Sequence, residues 1–335
     1  MAPAPPSSVP PSRLPGVLTP RPPAPPRGQG AIVVTGACGR LGKHVVRALH
    51  RERRVIAVDR RAFRDKPKDV SHEQVDIRRK KLKDIFRCEA IEAVVHLGVM
   101  HDPRASQAEH HSWNVAGFQK LLNYVAQFHV PKLIVLSSAN VYGPQPDNAQ
   151  FLSEETPLLG GARFSEIRDL IEVDILAQSF FWKHPETETV ILRPVHILGT
   201  VHNAASNFMR LPTIPTLLGF DPMVQVIHES DVVRAIVRAL TPEKRGIYNL
   251  SGPDPLPLSH IVKLLGKPSI PIPYSVGKAI LKRLWALRLT NFPAPELDHI
   301  RYVCMVDDSR ARTELGYLPH VSITDTVRSV NQESW

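Results

Sequence analysis

The first regular pattern along the chain is AIVVTG, residues 31–36, an apolar and largely β-branched run closed by glycine. A run of that kind predicts a strand buried on both faces. The next stretch, GRLGKHVVRALHRE, changes period: Leu41, Val45, Val46 and Leu49 recur on one helical face. RVIAVD, residues 54–59, predicts a second strand, and EQVDI, AVVHLG and KLIVLSS predict three more. TVILRP (189–194) and GIYNLSG (246–252) predict late strands. Helical stretches lie between them, notably HHSWNVAGFQKLLNYVAQFHV. Strands alternating with helices require right-handed crossovers, so the fold class is α/β with a doubly wound parallel sheet.

After Pro194 the rhythm loosens. LGTVHNAASNFMRLPTIPTLLGFDP is rich in Pro, Asn and Gly and predicts a loop-rich lobe. ESDVVRAIVRAL predicts a Ser-capped helix returning to the first domain, and SRARTELGYLP a helix stopped by Gly316. The expected division is a Pro-rich tail at 1–29, a nucleotide-binding domain at 30–195 to which 226–255 returns, and a smaller C-terminal α/β lobe from 196–225 and 256–335.

Composition changes this picture at two places. Many of the 32 prolines fall in the first 29 residues, which carry Arg13, Arg21 and Arg27, no acidic residue and no periodic apolar face. That segment is expected to be disordered or polyproline II-like. It lacks the apolar run of a signal peptide, and its prolines oppose the amphipathic helix of an organelle presequence. The formal charge of +10 is concentrated in RRVIAVDRRAFRDKPK and DIRRKKLKDIFR. Without a recognition-helix, RNP or zinc-finger pattern, a solvated basic face near an anionic cofactor is favoured over nucleic acid. Cys38, Cys88 and Cys304 form no paired motif, which fits a reducing, cytoplasmic setting. No window approaches a membrane span, so no membrane partner is expected, and no His/Cys/Asp spacing predicts a metal.

TGACGRLG, residues 35–42, places Gly36, Gly39 and Gly42 between a predicted strand and a predicted helix. Asp59 closes the next strand. That context makes the glycine spacing specific for a dinucleotide: a tight turn, backbone N–H groups open to a pyrophosphate, and close helix–strand packing. Cys38, Arg40 and Leu41 lie within this loop and are expected to contact the cofactor. Asp59 favours NAD through the adenosine ribose hydroxyls. Arg60 and Arg61 could meet a 2′-phosphate, which leaves NADP open.

The T-G-x-x-G-x-x-G spacing resembles the extended short-chain dehydrogenase/reductases, the NAD-dependent epimerase/dehydratase family, from about residue 30 onward. Asp76 and Ile77 match that family's adenine-contacting pair, and HLG, with Leu97 and Gly98, its strand end beside the cofactor. Asn114 matches its mid-helix asparagine. SSANVYG matches its S-S-x-x-V-Y-G segment, with Ser138 at the substrate-binding position. LRPVHILG and VIHESDVVRAI match segments that precede and follow the substrate lobe. The resemblance implies a Rossmann fold, NAD, a small-molecule substrate such as a nucleotide sugar, and often a homodimer formed through two helices.

One part of the family's pattern is missing. Its Tyr-x-x-x-Lys pair, expected about 25 residues after Ser138, is replaced by Phe164 and Arg168. Phe164 keeps a ring but has no proton to transfer, while Arg168 keeps a positive charge for the ribose. The sequence's one Tyr-x-x-x-Lys, Tyr274 to Lys278, falls in the C-terminal lobe and reads as a chance match. His101, Asp102, His110 and His111 are alternative proton carriers after the fourth strand. Two function classes follow: an NAD(P)-dependent epimerase, dehydratase or reductase, and a dinucleotide-binding sensor or scaffold without turnover.

Overall fold

The computed structural model describes residues 30–99, 106–162, 165–287 and 294–331. The Pro-rich tail and its expected disorder lie outside them, as do His101, Asp102 and Phe164.

In chain order the first strands are β1 (Ala31–Thr35), β2 (Val55–Asp59), β3 (Ser71–Gln74), β4 (Ile91–His96), β5 (Lys132–Leu136) and β6 (Glu188–Pro194). Short strands follow: β7 (His196–Leu198), β8 (Ile214–Leu217), β9 (Met223–Val224) and β10 (Val226–His228). Last come β11 (Gly246–Leu250), β12 (Leu256–Pro257) and β13 (Ser269–Ile272). The helices begin with α1 (Arg40–Leu49), α2 (Lys81–Cys88), α3 (Gln107–His111), α4 (Gly117–Gln127) and α5 (Ser165–Lys183). They continue with α6 (Ala204–Arg210), α7 (Glu229–Ala239), α8 (Leu258–Leu265), α9 (Tyr274–Ala286) and α10 (Ile323–Arg328).

Seven parallel strands form one sheet in the order β11-β6-β5-β4-β1-β2-β3. Strand order reverses between β1 and β4, which opens a crevice beyond their carboxyl ends. Two apolar clusters cover the two faces. β1 and β2 are buried at every position, as their unbroken apolar runs require. The edge strand β3 is shifted from the EQVDI reading to Ser71–Gln74, because Val75 and Ile77 are buried beyond it in a turn.

A third cluster gathers Leu198, Phe208, Ile214 and Leu258 with Leu297, Val327 and Val330. Ala311, Leu315 and Tyr317 pack instead with the sheet's own cluster, although the 256–335 reading grouped them with the lobe. Gly316 ends their turn in the left-handed region, as expected. The cap of α7 differs from the sequence reading: His228, not Ser230, is the N-cap, and its side chain accepts the Ser230 N–H.

Candidate cofactor and active site

The crevice is built where β1 turns into α1. Gly36 has φ +72, and a Cβ there would lie 2.8 Å from the Cα of Gly98. A Cβ on Gly42 would lie 2.2 Å from the Gly36 carbonyl oxygen. The two positions therefore hold the turn against the end of β4 and the helix against the turn. Gly39 is the N-cap of α1 and supplies no side-chain cap, so the first-turn N–H groups of Arg40, Leu41 and Gly42 face outward without an intrahelical partner. That is the geometry that receives an anion. Arg40 is exposed and donates to the carbonyl of Thr200 across the crevice, and Leu41 packs on the sheet cluster.

Asp59 is 7% exposed at the tip of β2. It accepts the Cys38 N–H at 3.0 Å and the Arg61 N–H at 2.9 Å. The Arg61 guanidinium adds contacts of 3.1 and 3.2 Å. Burial, followed by the charge of Asp59, pushes the Cys38 thiol up to about 11. The thiol is therefore protonated at neutral pH and lines the loop rather than reacting.

Asp76 binds its neighbour Arg78 through the backbone N–H at 2.8 Å and a guanidinium nitrogen at 2.6 Å. Ile77 is buried against Gly117. The guanidinium groups of Arg60 and Arg78 lie 4.8 and 5.0 Å from the centre of the buried Trp113 ring. The sequence reading missed this stack. Its cause is a π-helical turn at Ser112–Ala116 between α3 and α4, which turns Trp113, Asn114 and Val115 inward together.

Leu97 and Gly98 follow His96, whose Nδ1 lies 2.7 Å from the Thr35 hydroxyl. The ring stacks on Phe118 at 4.7 Å. Burial lowers the His96 pKa to about 4. Between that value and 6.5 the unfolded chain binds a proton that the folded chain refuses. Stability is therefore full above pH 6.5 and falls with acidification toward pH 4. By pH 5 the loss from His96 alone is about 2 kcal/mol. His196 and His299, with ring centres 5.4 Å apart, are lowered by burial as well and add in the same direction. Urea unfolding at pH 7 and pH 5 checks this, and an unchanged midpoint contradicts it.

Ser138 is half-buried beyond β5, and its hydroxyl accepts the Asn140 N–H at 3.1 Å. Beneath it, Ser137 donates to Asp174 on α5 at 2.6 Å. Asp174 holds Arg193 of β6 through contacts of 2.7 and 2.9 Å. Arg193 also donates to the Tyr142 hydroxyl at 2.8 Å, which in turn donates to Asn249 of β11. This buried network ties β5, β6, β11 and α5 together under Ser138. Burial pushes the Tyr142 phenol up to about 12, so Tyr142 does not replace the missing acid.

Arg168 is exposed, and its Nε donates to the Gly161 carbonyl at 3.3 Å. Tyr274 donates to Asp298 at 3.0 Å, and Lys278 lies over its ring in the C-terminal lobe. Among the candidate proton carriers, His111 lies 3.4 Å from Asp169 and 3.7 Å from Glu172. Sequence spacing did not reveal this group, because its members come from α3 and α5. Their ligand atoms lie within 4.8 Å of one another.

The sequence model of the NAD-dependent epimerase/dehydratase family matches residues 32–251, more than half of the chain. The chain belongs to this family. An uncharacterized protein of Mycobacterium tuberculosis is 26% identical over 299 residues, 86% of this chain and 80% of the relative. A UDP-glucuronate 4-epimerase of Thermodesulfobacterium geofontis is 24% identical over 339 residues, 90% of this chain and 95% of the relative. The structure of Thermus thermophilus UDP-glucose 4-epimerase in complex with NAD superposes with a TM-score of 0.69 at 21% identity. That superposition covers 90% of this chain and 98% of the other. The epimerase/dehydratase fold thus extends over the short-stranded lobe as well as the seven-stranded sheet.

Proposed function

We propose that the protein binds NAD in the crevice between β1 and β4 and acts as an oxidoreductase or epimerase on a nucleotide sugar. The observation that carries the reading is the glycine cradle: Cβ atoms at positions 36 and 42 would collide with backbone, and the uncapped α1 start faces the same opening. The residues present fit the cofactor. Gly36, Gly39 and Gly42 give the pyrophosphate access to the N–H groups at Arg40 and Leu41. Asp59 receives the adenosine ribose hydroxyls once Arg61 swings from its carboxylate. A 2′-phosphate would instead meet a buried carboxylate, which favours NAD over NADP. The Trp113 stack and Asp76 edge the adenine end, and Leu97 and Gly98 line the path toward nicotinamide.

When bound, NAD supplies hydride transfer at its nicotinamide. The chain's own part is to orient and to move a proton. Ser138 orients a substrate hydroxyl through its own hydroxyl, and Arg168 supplies positive charge near the ribose. Phe164 has no proton to give, so proton transfer falls to water or to a group other than tyrosine. The two named epimerases act on UDP sugars, which supports that substrate class here.

Incubation of the full chain with NAD and a panel of UDP- and dTDP-sugars tests the reading. Slow conversion of at least one sugar, lost in Ser138→Ala with NAD affinity retained, is expected. NAD binding without conversion of any sugar would favour a non-catalytic dinucleotide-binding role.

A further inference from the structure

Helix α3 ends on His111 just before the π-helical turn, and that turn packs against α5. The packing brings His111 to two carboxylates of α5. Its Nδ1 lies 3.4 Å from Asp169 Oδ1 and 3.7 Å from Glu172 Oε2. Asp169 and Glu172 stand at positions i and i+3 of the helix, so they share one face. All three ligand atoms lie within 4.8 Å of one another. Asp169 is 8% exposed, whereas the side chains of His111 and Glu172 are about half exposed.

Two acids side by side repel, and burial adds to the cost of a charge on Asp169. A neighbouring Lys or Arg would offset this, yet among the described residues none pairs with either carboxylate. His111 is the one side chain that faces both. A shared proton fits these distances poorly, because a charge-assisted N–H···O bond is about 2.7–2.9 Å long. A shared ion fits better. Zinc holds imidazole nitrogen and carboxylate oxygen at about 2.0–2.2 Å, which sets the ligand atoms of a tetrahedron about 3.3–3.6 Å apart. The His111 distances of 3.4 and 3.7 Å lie at or just beyond that spacing. Rotation of the half-exposed Glu172 side chain closes the rest.

We propose that His111, Asp169 and Glu172 bind a zinc ion, with water in the fourth place. An imidazole nitrogen in the set favours zinc over magnesium and calcium, which take oxygen ligands. The two carboxylates neutralise the ion's charge. Asp169 anchors it from the buried side, while His111 and Glu172 leave it a path from solvent. The bound ion clasps α3 to α5, the helix that carries Arg168 and that braces Ser137 through Asp174. The sequence reading expected no metal, since it looked for ligands spaced along one segment. His111 and Asp169 are 58 residues apart in the chain. Neither NAD nor turnover enters the argument, so the site stands or falls separately from the proposed activity.

Calorimetric titration of zinc chloride into the full chain, stripped of metal and carrying no histidine tag, tests this. One equivalent is expected to bind, and magnesium at equal concentration is expected not to displace it. Affinity is expected to fall at least about tenfold in His111→Ala, in Glu172→Gln and in Asp169→Asn, since even a group that only supports a metal ligand is worth about 10–100-fold. Zinc is also expected to raise the thermal midpoint of the wild type and to leave that of His111→Ala unchanged. His111 and Glu172 are half-exposed, so their variants fold as the wild type does, and metal-free midpoints check that. The proposal is overturned if the wild type takes up no zinc, or if His111→Ala or Glu172→Gln binds it as tightly. Displacement of zinc by an equal concentration of magnesium would also overturn it.

Discussion

Phe164→Tyr combined with Arg168→Lys raises turnover of a nucleotide sugar in the presence of NAD by about 10²–10⁴-fold. That is the usual contribution of a positioned acid–base group. The serine and the helix that such a tyrosine is expected to work with are held in place. Ser138 is half-buried beyond β5, and the Asp174–Arg193 pair fixes α5 to the strand ends beneath it. The tyrosines of the VYG and Tyr-x-x-x-Lys segments are committed elsewhere. Tyr142 is buried with its phenol pushed up to about 12, and Tyr274 is bonded to Asp298 in the C-terminal lobe. Arg168 rests on the Gly161 carbonyl, and a lysine there has a compact ammonium that can lower the phenol's pKa. Steady-state kcat for the wild type, the two single variants and the double variant decides the matter. Phe164→Tyr alone is expected to give a smaller gain, since the phenol then lacks a lysine. A double variant no faster than wild type would mean that proton transfer is not what the site lacks.

Asp174→Ala destabilises the folded protein by about 3–5 kcal/mol, because it leaves a buried guanidinium without its counter-charge. Arg193 is 1% exposed and Asp174 0%, so water cannot take over. Ser137 loses its acceptor at the same time, which loosens the segment that carries Ser138. The companion variant Asp174→Leu with Arg193→Met removes both charges and is expected to recover most of the loss. Urea midpoints for the three proteins measure this. A single variant within about 1 kcal/mol of wild type would show that the pair is not the strut described.

The fold was legible because the β strands announce themselves as short apolar runs. β1, β2 and β4 sit where AIVVTG, RVIAVD and AVVHLG place them. β3 was less legible, since an edge strand such as SHEQ carries no apolar alternation. The cofactor loop was legible because glycine there is a steric necessity, visible at Gly36 and Gly42. Arg193 was legible only as part of LRP, and Asp174 not at all. An ion pair 19 residues apart, joining a helix to a strand, leaves no local pattern. Trp113 was hidden for another reason: the π turn breaks the 3.6-residue period that would have marked its face. His111, Asp169 and Glu172 meet only through the packing of two helices. Position 164 is read from sequence alone, and the double variant addresses it directly.

The most direct test of the account is calorimetric titration of NAD into the full chain beside Gly42→Val. The account predicts saturable one-site binding by the wild type, tighter for NAD than for NADP. It also predicts loss of that binding in the variant, whose new side chain starts 2.2 Å from the Gly36 carbonyl oxygen. A wild type that binds neither dinucleotide, or a Gly42→Val variant that binds NAD equally well, would contradict it.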